Sequence, residues 1–88
     1  MNKPTVYELT PTNGRKSFWG KATVMVHENG DKTLFSYGTP IMTDRFNAKP
    51  KCVRHYDGWT NTTGTHIGSF YFGMNKKEFQ ELPYEDYQ

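Results

Sequence analysis

The segment from Lys21 to Tyr37 constrains this chain most. Ala22, Val24 and Val26 alternate with Thr23, Met25 and His27, the period of two that a strand with two distinct faces requires. The run breaks at Glu28-Asn29-Gly30-Asp31 and resumes from Lys32 to Tyr37. Asn-Gly supplies two adjacent residues that tolerate positive φ, so the spacing predicts a β-hairpin closed by a two-residue type I′ turn. That closure sets Val26 opposite Thr33, Val24 opposite Phe35 and Ala22 opposite Tyr37, while Met25 meets Leu34 on the other face. An isolated hairpin is marginal in water, so further strands or a helix must cover its apolar side.

The rest of the chain supplies them. Thr5 to Leu9 reads as a short strand stopped by Pro11-Thr12-Asn13-Gly14. Gly38-Thr39-Pro40 interrupts the return strand, Ile41 to Thr43 continue extended, and Cys52 to Tyr56 has the β-branched and aromatic content of another strand. A first helix begins at Thr62 or Thr63 and carries Ile67, Phe70 and Tyr71 on one face, with Gly64 and Gly68 weakening it. A second starts at Asn75, with Glu78 three residues on as in a capping box, and stops before Pro83. The expected fold class is therefore α+β: a small antiparallel sheet of about four strands with one or two short C-terminal helices.

With 88 residues the chain has room for one core, so residues 1–88 read as a single small domain with 84–88 a frayed acidic end. Mean hydropathy is low, at -0.88, but aromatic residues make up 16% and each can bury a large area. The lone Cys52 and the lack of a signal-type start predict a cytoplasmic protein, and no apolar run is long enough to span a membrane. Charge is uneven: residues 1–56 hold nine Lys and Arg against four acids, and residues 57–88 two against five. Such an asymmetry can draw nucleic acid to one part, or simply let the two parts attract each other.

Three ordered segments stand out: Asn13-Gly14-Arg15-Lys16-Ser17-Phe18-Trp19-Gly20-Lys21-Ala22, then Ser36-Tyr37-Gly38-Thr39, then Gly58-Trp59-Thr60-Asn61-Thr62-Thr63 with His66-Ile67 and Phe70. In this arrangement the sequence resembles a family of small phage and gut-bacterial proteins without an assigned activity. The resemblance implies a mobile-element origin and a shared compact fold, and brings no catalytic or binding residue with it. Thr65 stands where that family usually has Arg, and Gly68 where a polar helix former is usual.

The residues themselves suggest binding rather than catalysis. Phe18, Trp19, Tyr37 and Trp59 are candidate anchors for a partner, since exposed Trp and Tyr dominate protein interfaces. Arg15, Lys16, Lys21, Lys51 and Arg54 are the candidates for an alternative nucleic-acid surface, in which cations meet phosphates and rings stack on bases. His27, His55 and His66 with Cys52 lack paired metal-ligand spacing, so neither a metal nor another cofactor is expected. Cys52 and His55 lie three apart, on opposite faces of a strand, and cannot pair as nucleophile and base. The expectation is a non-catalytic phage-type accessory protein that binds a macromolecular partner, a host protein first. Inhibition of a host defence complex is one form suggested by analogy alone.

Overall fold

The computed structural model describes residues 5–9 and 21–87. Five strands, β1 (Thr5–Glu8), β2 (Ala22–Val26), β3 (Lys32–Ser36), β4 (Thr39–Asp44) and β5 (Cys52–Arg54), form one antiparallel meander in chain order, followed by helices α1 (Asn61–Phe70) and α2 (Lys76–Gln80). The α+β class is as expected, with five strands rather than about four.

The Asn29-Gly30 hairpin forms, but one residue out of the expected register. Val24 faces Leu34, not Phe35, and Ala22 faces Ser36, not Tyr37. The loop has three residues: Gly30 N–H donates to His27 O at 2.9 Å and His27 N–H to Asp31 O at 2.7 Å. This is a type I turn with a bulge, and it needs positive φ only at Gly30, where φ is 96°. Asn29 contributes its side chain instead, Oδ1 accepting from Asp31 N–H at 3.0 Å. Burial selects this register, because it places fully buried Leu34 on the same face as fully buried Ala22 and Val24.

The extra strand arises from a second tight turn. Tyr37 (φ 53°) and Gly38 (φ 80°) are both left-handed and reverse the chain between paired Ser36 and Thr39. Gly38 thus completes the turn and Thr39-Pro40 begins β4, rather than the three interrupting β3. Pro40 is tolerated because β5 pairs only with Met42 to Asp44, leaving no ladder beside the missing N–H. A bulge opposite Leu34 and Phe35 lets both Ile41 and Met42 be buried.

The helices cover one face. Ala22, Val24, Leu34, Ile41, Met42 and Cys52 pack there with Leu9, Ile67 of α1 and Phe79 of α2 in one cluster. Helix α1 starts two residues before the earliest expected cap: Thr60 is the N-cap, its Oγ1 accepting from Thr63 N–H at 3.0 Å. Helix α2 has the predicted capping box, with Asn75 and Glu78 each accepting from the other's backbone N–H. It turns Phe79 wholly inward, a burial worth about 1.5–3 kcal/mol.

The acidic end, expected to fray, docks through its described residues. Arg54 N–H donates to Pro83 O and Glu85 N–H to Arg54 O, both at 2.9 Å, and Tyr84 bridges Arg54 in parallel. Arg45 pairs with Glu85 at 2.5 Å. Tyr87 then lies against Phe35, His55 and His27 on the sheet face opposite the helices, at ring separations of 5.5, 5.2 and 6.3 Å.

Candidate functional site

Parts of the three sequence segments meet at one end of the sheet: Lys21-Ala22, the Ser36–Thr39 turn, and His66 with the start of α1. Ser36-Tyr37-Gly38-Thr39 is the β3–β4 turn; Tyr37 N–H donates to Lys21 O at 2.7 Å, and Ala22 pairs with Ser36. From the third segment, His66 lies under the turn, with Nδ1 2.8 Å from Ser36 Oγ. A groove of about 400 Å³ runs between the turn and the start of α1; Ser36, Tyr37, Thr39, Thr60, Thr62 and Thr63 are among the residues that line it. Its walls are rich in hydroxyl groups.

Tyr37 is the exposed aromatic residue of the groove. The residue is 61% exposed, and its ring stands 6.1 Å from the His66 ring and takes Lys21 Nζ over its face at 5.9 Å. A left-handed backbone costs a non-glycine residue roughly 1–2 kcal/mol, and so exposed a side chain recovers little of that by packing. The turn nonetheless presents an aromatic ring outward at its apex. Such outliers concentrate at functional sites.

Ser36 and His66 form a hydroxyl–imidazole pair, but they are only 4% and 2% exposed, beneath Tyr37. Burial, reinforced by the Lys21 charge, pushes the His66 imidazole below its ordinary value near 6.5 and so favours the neutral ring. The pair ties the turn to α1. Sequence offered no signal for it, since the partners are 30 residues apart.

The other candidates fare differently. Phe18, Trp19, Arg15 and Lys16 lie outside the described residues. Trp59 is half-buried: its ring is 5.9 Å from Phe79 and covers Gly64, where a Cβ would come within 2.4 Å of it. It is a packing residue with little face left for a partner. Lys51 is ion-paired with Asp44, which holds its ammonium above the usual lysine range, and it lies 5.7 Å over Tyr71. Arg54 clasps the chain end, donating Nε–H to Leu82 O at 2.9 Å, pairing with Asp57 at 3.4 Å and lying over Tyr84 at 5.5 Å. Lys21 precedes β2 beside the Tyr37 turn, whereas Lys51 precedes β5 at the far end of the sheet, so the two are not brought together.

Cys52 is in the core, its thiol pushed up chiefly by burial and next by Asp44, while His55 lies on the opposite face. Among the described residues no group of three or more His, Cys, Asp or Glu is arranged to hold a metal, and no helix is long and apolar enough to cross a membrane. No match was found among curated proteins or among solved structures. Over residues 7–88 the chain matches a family of unknown function, DUF8033, and it belongs to that family.

Proposed function

We propose that this protein is a non-catalytic accessory protein that binds a macromolecular partner, a host protein, through the surface around Tyr37. The observation that carries the reading is Tyr37 itself, a mostly exposed ring on a left-handed backbone beside a hydroxyl-lined groove. Tyrosine anchors of this kind supply a large rigid contact with few torsions to freeze, and groove hydroxyls supply adaptable hydrogen bonds. The burial of Ser36 and His66 favours binding over hydrolysis, because a nucleophile must reach its substrate. The resemblance to small phage and gut-bacterial proteins supports a host protein as the target.

A nucleic-acid surface is the competing reading, and it has fewer cations to work with, since Lys51 and Arg54 are engaged within the chain. The experiment is capture from host lysate with and without nuclease, beside oligonucleotide binding across a salt series. The proposal expects a nuclease-resistant protein partner and no appreciable oligonucleotide binding at physiological salt. Tight oligonucleotide binding whose log affinity falls linearly with log salt would overturn it.

A further inference from the structure

On the sheet face opposite the helices, four side chains form an unbroken hydrogen-bonded chain. His27 Nε2 lies 2.8 Å from Thr33 Oγ1, Thr33 Oγ1 lies 2.8 Å from Thr43 Oγ1, and Thr43 Oγ1 lies 2.7 Å from His55 Nε2. The other His55 nitrogen, Nδ1, is 2.7 Å from the carbonyl oxygen of Glu85. Thr33 is fully buried and Thr43 is 7% exposed, so the two hydroxyl hydrogens must find acceptors within the chain.

Donor and acceptor chemistry then fixes every hydrogen. A carbonyl can only accept, so His55 Nδ1 carries a hydrogen and, in the neutral ring, Nε2 is an acceptor. Thr43 therefore donates to His55, Thr33 donates to Thr43, and His27 donates from Nε2 to Thr33. The neutral chain has one allowed state, with the ring nitrogen outside it, His27 Nδ1, bare.

One added proton has two places to go. On His27 it enters at Nδ1 and leaves the chain unchanged. On His55 it enters at Nε2, both hydroxyls reverse, and His27 Nε2 becomes an acceptor, so its neutral ring carries the hydrogen on Nδ1. Both outcomes put a hydrogen on His27 Nδ1. A second proton makes both Nε2 groups donors aimed at two hydroxyls, and one buried hydroxyl hydrogen is left without an acceptor.

We propose that His27, Thr33, Thr43 and His55 form a one-proton switch that turns His27 Nδ1 from hydrogen-bond acceptor to donor. His27 lines an open cavity of about 540 Å³ whose other titratable and charged members are Glu28, Asp31, Arg45, His55, Glu85 and Tyr87. Asp31 accepts from Phe46 N–H at 3.0 Å and Arg45 is paired with Glu85, which leaves the imidazole as the group there that reverses its hydrogen-bonding sense. The uncharged chain suits a ligand N–H or O–H at this nitrogen; the charged one suits a carboxylate or phosphate oxygen.

The test is nitrogen-15 NMR of the histidine rings across a pH series. At the alkaline end, His55 should be the Nδ1–H tautomer and His27 the Nε2–H tautomer. On acidification a hydrogen should appear on His27 Nδ1 whichever of the two rings takes the added proton. Thr43→Ser should preserve this pattern. Thr43→Val should mix the His27 tautomers. An Nδ1–H tautomer for His27 at alkaline pH, or an unchanged pattern in Thr43→Val, would overturn the proposal. The wild-type tautomers decide it even where Thr43→Val does not fold.

Discussion

Two residues at the β3–β4 end carry the most specific expectations. Tyr37 occupies a backbone region that glycine adopts freely, so Tyr37→Gly trades relief of that strain against lost ring contacts and a more flexible unfolded chain. Its stability should stay within about 1 kcal/mol of the wild type in denaturant titration. His66 behaves in the opposite way, because its environment penalises the charged ring. With the folded-state value lowered, the unfolded chain binds more protons below the ordinary value near 6.5, so stability rises with pH through that region and is lost as pH falls below it. The dependence attributable to this residue should vanish in His66→Gln, measured as the difference between the two proteins' stability curves between pH 7 and about pH 5. Equal slopes in the two proteins would show that His66 does not titrate differently on folding.

At the scale of elements, helix α1 contains its own control. Gly64→Ala and Gly68→Ala make the same propensity gain of up to about 1 kcal/mol in a helix interior. A Cβ at Gly68 meets nothing within 4 Å, so that variant should be more stable. At Gly64 the new Cβ would collide with the Trp59 ring, which is pinned against Phe79, so that variant should be less stable despite the same gain. Thermal unfolding of the pair reads the sign directly. Phe79→Ala, which empties a fully buried site under α2, should cost about 3–5 kcal/mol.

The same elements show what could be read in advance. Helix α2 was legible to its cap because Asn75 and Glu78 are local signals acting on local backbone. The hairpin was legible as a hairpin, but its register was not, since Asn-Gly serves both a two-residue turn and a three-residue loop, and the choice rests on which face buries Leu34. The turn at Tyr37-Gly38 was hidden because an aromatic residue is a poor candidate for positive φ. Tyr37 was legible as a candidate anchor, whereas Trp59 on the same grounds proved to be a packing residue; sequence carries composition, and exposure belongs to the fold.

At the scale of the whole molecule, the C-terminal segment docks on β5 and reaches the sheet face opposite the helices. Arg54, read from sequence as a phosphate contact, holds the 82–85 segment through its backbone and guanidinium, while Tyr87 reaches the polar sheet face. The partner proposal rests on the β3–β4 turn, at Tyr37. The measurement that tests it most directly is capture from nuclease-treated host lysate by the wild type, Tyr37→Gly and Phe72→Ala, the last removing a ring that is 85% exposed but outside the groove. With all three shown to be folded, the wild type and Phe72→Ala should retain the same protein partner and Tyr37→Gly should lose it. Equal capture by Tyr37→Gly, or loss of the partner on nuclease treatment, would contradict the account.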